Sequence, residues 1–418
     1  MTVELKKLDN GIKIATDSFS NVETVAVGIW VNVGARNEPA EINGISHLLE
    51  HMAFKGTTTR SAQQIADEIE SVGGYLNAAT SRETTAYYAR VLKEDLGTAV
   101  DILSDILQNS TFATEELEKE REVVIQEIYQ TNDTPDDVIY DHFQNASYAD
   151  QAMGRAILGT KEIVSSVTRE QLHDYLHNNY DSKRIVVAAS GNLDPKYFAD
   201  LVEQKLSMPV NCDVNFQPSN YTGGFFHEER KIEQVHYLLG FQGVGMGHED
   251  YYTQSILATI LGGGMSSRLF QELREKRGLV YSTYAFRHAF SDSGLFGVYA
   301  GTSKKHVPEV IKVLQDQLSN ITHNLVNESE LNRVKAQFKA GLMMSLESTS
   351  SRLDQIANQT IFYGHPISTQ EIMAKINAVT IEDVRQVAQN IFSSAPTQTS
   401  IGSVKLDQMQ KEFQALGK

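Results

Sequence analysis

Cysteine is nearly absent from this chain: 418 residues hold one, Cys212, so no internal disulfide can form and no thiolate cluster can bind a metal. Cys212 lies in a linker-like stretch and is assigned no role. Long apolar runs are missing too, with no stretch of about 18 apolar residues to cross a bilayer. The opening MTVELKKLDNGIKI has neither an apolar signal core nor an arginine-rich amphipathic leader. The expectation is a cytosolic protein without membrane attachment, unless a leader has been removed. Basic residues are in deficit: 37 Lys+Arg stand against 53 Asp+Glu, a formal charge of −16. That balance argues against a nucleic-acid partner and is compatible with cationic peptides or with plain solubility.

What the chain does have is the run His47-Leu48-Leu49-Glu50-His51. Four residues turn a helix by about 400° and raise it by about 6 Å, so both imidazoles face one way and can grip one ion. Glu50, three residues after His47, sits near that face, where a carboxylate can take a proton from water that a zinc ion has acidified. A five-residue match is cheap, and the plain alternative is a half-buried helix whose histidines meet solvent or carbonyls. A third ligand is needed, and the helical segment Ala113–Tyr129, with Thr114 as its expected cap, offers several carboxylates. Glu120 and Glu127 are seven apart and share a face; Glu127 follows His51 by 76 positions.

With that spacing the chain resembles the insulinase or pitrilysin type of zinc metallopeptidases, and within it the branch of the mitochondrial processing peptidase β-subunit and its bacterial homologues. The resemblance implies one zinc per chain on His47, His51 and Glu127, Glu50 as general base, and Glu120 as a carboxylate that steadies the site from behind. Tyr75–Val91 (YLNAATSRETTAYYARV) is similar to the family's active-site strand, where Asn77 and Ala78 would pair backbone to backbone with an extended peptide. Arg274 and Tyr281, seven apart in RLFQELREKRGLVYS, match a pair that completes the site from the non-catalytic domain, the tyrosine hydroxyl steadying the oxyanion. Asp137 and Asp141 match two acids that recognise an arginine two residues before the cut, although Asp137 is shorter than the glutamate expected there. Phe54 matches an aromatic lining the pocket for the residue after the cut; core packing is its alternative.

The organisation reads as two copies of one α+β unit, each a mostly antiparallel sheet packed with helices. The stretch from Leu206 to Gly224, LSMPVNCDVNFQPSNYTGG, has little periodicity and reads as a linker. It divides the chain into a catalytic domain at 1–206, a linker at 207–224 and a second domain at 225–418. The first half reads as a hairpin at Asp9-Asn10-Gly11, a strand Val25–Val33, the metal helix, a helix near Ala62–Val72, strands near Tyr75–Thr80 and Thr84–Val91, and helices near Asp95–Gln108 and Thr114–Gln130. The second half repeats that order from a strand near Val235–Phe241 to a helix near Glu328–Leu346, with strands at Val280–His288 and Gly294–Ala300 between. Matching Ala99–Leu107 to Val310–Leu318 carries His47, Glu50 and His51 onto Ala258, Leu261 and Gly262, and Glu127 falls opposite Gly341 in a matching of the later helices. The second copy therefore lacks the chemistry.

The resemblance implies half of a peptide-enclosing chamber built as a two-chain assembly. One chain carrying both the zinc motif and the Arg/Tyr pair implies a homodimer, and Gly262-Gly263-Gly264-Met265 is only a short relic of the long glycine-rich loop of a dedicated non-catalytic partner. The expected activity is zinc-dependent endopeptidase cleavage of unfolded or short, basic peptides. A non-catalytic subunit like the core proteins of the respiratory cytochrome bc complex, or a peptide-binding module without turnover, are the alternatives.

Overall fold

The computed structural model describes residues 3–210 and 217–416; Cys212 and the middle of the expected linker lie outside them. The first sheet has six strands, β1 (Val3–Lys7), β2 (Lys13–Ser18), β3 (Thr24–Val31), β4 (Tyr75–Thr80), β5 (Thr85–Leu92) and β6 (Ile185–Gly191), in the order β1-β2-β6-β3-β5-β4. The second has five, β7 (Gly224–Glu229), β8 (Gln234–Gly243), β9 (Val280–Ala289), β10 (Gly294–Ser303) and β11 (Thr397–Gly402), in the order β7-β11-β8-β10-β9. Removing β1 leaves the same strand order in both. Each has one parallel pair, β2 with β6 and β7 with β11, at the same place in an otherwise antiparallel sheet. The expected duplication of an α+β unit is thus present, and β1 is an addition made by the hairpin through Gly11, whose φ of +100° suits glycine.

The helices that position the site are α1 (Ile45–Ala53), α2 (Ala62–Ser71), α3 (Leu96–Gln108) and α4 (Thr114–Asp133). Next in the chain is α5 (Pro135–Ser147), then α6 (Lys161–Ser166), α7 (Arg169–Asn179) and α8 (Pro195–Lys205). In the second half come α9 (Tyr251–Gly262), α10 (Val307–His323), α11 (Glu328–Ser345) and α12 (Thr349–Tyr363). Thr114, expected as a cap, is instead the first residue of α4.

The compact units do not follow the division at the linker. One comprises Met1–Gln130, Arg155–Gln217 and Leu342–Thr369, the other Thr131–Gly154, Pro218–Gly341 and Gln370–Lys418. The reason is that both faces of each sheet are apolar. On β3, Val25, Val27, Ile29 and Val31 face a core shared with α1 and α3, while Ala26 and Trp30 face the other way. That second face, with Ala15, Val186 and Ala188, is covered by Leu353, Ile356 and Ala357 of α12, spaced i, i+3, i+4. Burying Leu353 and Ile356 contributes about 1.5–3 kcal/mol each. Arg352 fastens the helix: it donates from Nε and Nη2 to Asp17 at 2.6 and 3.0 Å and lies over the Phe19 ring. In the other unit α5 does the same for its sheet, placing Val138, Ile139 and Phe143 against Leu238, Leu295 and Ile401. Among the described residues no helix is long and apolar enough to cross a membrane.

Candidate metal centre

Helix α1 is short but strongly two-faced. Ile45, Leu48, Leu49 and Met52 are buried at i, i+3, i+4 and i+7, which leaves His47, Glu50 and His51 on the opposite side, each half-buried. Its start is fixed by a carboxylate that has no local sequence signal. Buried Glu38 accepts from the backbone N–H of Gly44 at 2.7 Å and of Ser46 at 2.8 Å, and from Asn43 Nδ2 at 2.7 Å. An anion there satisfies amides that the helix itself leaves unpaired. Burial raises the Glu38 pKa, and the hydrogen bonds from Gly44, Ser46 and Asn43 oppose that. Gly44 must be glycine: its φ is +98°, and a Cβ would stand 2.7 Å from the Leu158 carbonyl oxygen.

Helix α4 brings Glu127 to the histidines. Its Oε2 lies 3.5 Å from His47 Nε2 and 3.7 Å from His51 Nε2, and the three ligand atoms lie within 4.8 Å of one another. These separations are too long for hydrogen bonds and suit a shared ion, since two atoms about 2.0–2.1 Å from one zinc at tetrahedral angles stand about 3.4 Å apart. Two imidazoles and one carboxylate are also the donor types zinc takes when a further position stays open to water or substrate. Burial, then the neighbouring His51, pushes His47 down to about 4, which keeps its ring neutral and able to ligate. The residues fit the ion.

The surroundings orient the ligands. His51 Nδ1 is 3.0 Å from Glu120 Oε2, and Lys55 Nζ is 2.8 Å from Glu120 Oε1. A donated Nδ1–H on His51 leaves its Nε2 lone pair directed at the site, and Lys55 balances the buried carboxylate that receives it. Glu50 stands apart from this chain of contacts and accepts a hydrogen bond from the Thr80 hydroxyl at the end of β4. Burial raises the Glu50 pKa, opposed by Thr80 and His51 and assisted by Glu127.

The other candidate residues fall in different places. Asn77 and Ala78 are on β4, the edge strand of the first sheet, Asn77 exposed and Ala78 buried. Phe54 caps the end of α1 and packs against the core, its ring 6.4 Å from that of Tyr87. Asp137 is exposed and Asp141 half-buried on α5, which belongs to the other compact unit. Arg274 and Tyr281 also belong to that unit. Arg274 lies over Phe270 in a turn of π-helix, and Tyr281 is the second residue of the edge strand β9, at 68 % exposure. Ala258, Leu261 and Gly262 on α9 are buried, and Gly262 is so close to β9 that a Cβ would lie 2.1 Å from Ala285 N.

Sequence reasoning passed over Thr80, Lys55 and Glu38. Lys55 sits four residues beyond His51, the same helical spacing that singled out the histidines. Thr80 is a polar residue on the inward-facing register of β4, with Leu76 and Ala78.

Comparison with known proteins agrees with this geometry. The family described as insulinase (peptidase family M16) matches residues 13–161, and the peptidase M16 inactive domain matches residues 166–338. A Rickettsia felis protein named an uncharacterized zinc protease is 40 % identical over 95 % of this chain and 97 % of its own. A Bacillus subtilis protein, also named an uncharacterized zinc protease, is 38 % identical over 92 % of this chain and 94 % of its own. In fold, the crystal structure of a protease from Helicobacter pylori superposes with a TM-score of 0.89 at 21 % identity, covering 96 % of this chain and 99 % of that one. The chain belongs to the insulinase family of peptidases, and among the described residues the group placed to hold a metal, His47, His51 and Glu127, lies in its first half.

Proposed function

We propose that this chain is a zinc-dependent endopeptidase that hydrolyses unfolded or short, basic peptides in the manner of a processing peptidase. The observation that carries the reading is the convergence of His47, His51 and Glu127 on one point, with Glu50 on the helix of the two histidines and outside the ligand set. Zinc held there supplies Lewis acidity, lowering the pKa of water to about 7 and polarising the peptide carbonyl. Glu50 takes the proton from the attacking water and returns it to the leaving amine. The edge strand β4 presents Asn77 and Ala78 to an extended peptide, which gives affinity with little sequence preference. Phe54 borders the position after the cut. Tyr281, with Arg274, holds the carbonyl oxygen as charge develops on it. Asp137 and Asp141 take an arginine two residues before the cut through charge-assisted hydrogen bonds.

The working unit is a homodimer in the cytoplasm of a bacterial-type cell, and sedimentation of the loaded chain tests the assembly. The bacterial origin of the relatives supports the compartment. The test of the activity is metal content and peptide hydrolysis across a chelator series with zinc added back. Loss and recovery of cleavage in step with one zinc per chain is expected. A protein without metal and without turnover would be a core-protein-like subunit, and one that binds peptides uncut at full zinc would be a binding module.

A further inference from the structure

The proposed base is itself held, and the residue that holds it is mounted on a purpose-built support. Glu50 Oε2 accepts from the Thr80 hydroxyl. Thr80 is the last residue of β4, where Leu76, Ala78 and Thr80 point inward and Tyr75, Asn77 and Ala79 are exposed. Just beyond it the chain turns into β5, and the turn is tied at every residue. Ser81 N–H donates to the Thr84 carbonyl at 2.8 Å, and Ser81 Oγ accepts from Thr84 N–H at 3.0 Å. A second loop braces it: Ala35 N–H donates to the Ser81 carbonyl at 3.1 Å and Arg36 N–H to that of Arg82 at 2.9 Å. Gly34 lets that loop approach, for a Cβ there would stand 2.4 Å from the Ser81 carbonyl oxygen. Behind both, Arg36 Nη1 meets Glu83 Oε1 at 2.6 Å with both side chains buried. A buried ion pair is a weak source of stability, but it holds its partners in one arrangement.

We propose that Thr80 is a positioning residue for Glu50: its hydroxyl fixes the carboxylate rotamer and occupies Oε2, leaving Oε1 to take the proton. The inference rests on the reading of Glu50 as the base. A β-branched residue suits this strand position, so valine supplies the same shape without the donor, and serine supplies the donor without the methyl group. Correct orientation of a base counts only while the proton moves, so its loss falls on kcat and not on KM.

The experiment compares the zinc-loaded parent, T80V, T80S and E50Q for zinc content, Tm, kcat and KM. It also follows the Glu50 carboxyl carbon in the metal-free proteins by ¹³C NMR, the resonance being assigned by its loss in E50Q. The expected result is full zinc and parental Tm in T80V, with kcat lower by about 10- to 150-fold, the usual worth of one hydrogen bond to a charged group, and KM unchanged. T80S should recover to within about 2-fold, and the Glu50 resonance should shift in T80V and not in T80S. An inactive E50Q beside a T80V with parental kcat would overturn the positioning role and leave Glu50 as the base. A T80V that loses zinc or Tm in proportion to activity would make Thr80 merely structural and overturn the role as well. An E50Q as active as the parent would overturn the reading of Glu50 itself.

Discussion

Arg352 offers a quantitative test of the way the first compact unit is assembled, because it fastens a helix from late in the chain onto a sheet formed early in it. In R352A, the Asp17 carboxylate, 1 % exposed, loses both of its guanidinium hydrogen bonds at 2.6 and 3.0 Å and stays buried as a lone charge. Breaking a buried pair from one side costs about 3–5 kcal/mol. Loss of the stack on Phe19, whose ring centre lies 3.9 Å from the guanidinium carbon, adds to this. At about 2–4 °C per kcal/mol for a unit of this size, the Tm of the metal-free protein should fall by about 6–20 °C. Fluorescence reports the event directly, since the single tryptophan, Trp30, is buried in the layer that α12 covers. Removing both charges in an R352L/D17L protein should cost much less, because no buried charge is left unpaired. A loss in R352A below about 1 kcal/mol, the ceiling for an exposed ion pair, would refute the assignment of α12 as an integral layer of this unit.

Three further outcomes follow from the proposed function. Tyr281→Phe should lower kcat by about 10²-fold with little change in KM or zinc content, as removal of one oxyanion donor does, and steady-state kinetics beside metal analysis decide it. Glu120→Gln should weaken zinc binding by about 10- to 100-fold in a competition titration, because the His51 Nδ1–H loses the charged acceptor that fixes its ring and raises its basicity. Arginine two residues before the cut should raise kcat/KM by roughly 10- to 150-fold over alanine. Equal preference in parent and Asp141→Asn would place the selection elsewhere.

Local periodicity made much of this molecule legible. The spacing of Ile45, Leu48, Leu49 and Met52 against His47, Glu50 and His51 defines a helix with one apolar and one chemical face, and both are present. The strand Tyr75–Thr80 has the expected bounds, and the helix at Thr114 starts within a residue of its expected cap. What escaped is what the chain assembles at long range. Strand β6 is buried along its whole length, and a short apolar run such as IVVAASG has no period to separate strand from helix. Strand β11, TQTSIG, looks like a turn, yet every residue of it is buried. Three of its polar side chains are met by distant partners: Thr397 by Ser147 and Tyr221, Gln398 by Tyr237, Ser400 by His227. Nothing local announces those partners. The exchange of α5 and α12 between units is invisible for the same reason, because an amphipathic helix does not say which sheet it covers. Thr80 and Glu38 act through contacts 30 residues away or through backbone amides, which spacing rules do not capture.

The central claim is that His47, His51 and Glu127 hold the metal and that Glu50, on the helix of the two histidines, performs the proton transfer. It is tested most directly by measuring zinc per chain and peptide turnover together in Glu50→Gln and His51→Ala. The account predicts that Glu50→Gln keeps about one zinc per chain while turnover falls by about 10²–10⁴, and that His51→Ala loses both. A Glu50→Gln protein that cleaves at the parental rate with full zinc would contradict it.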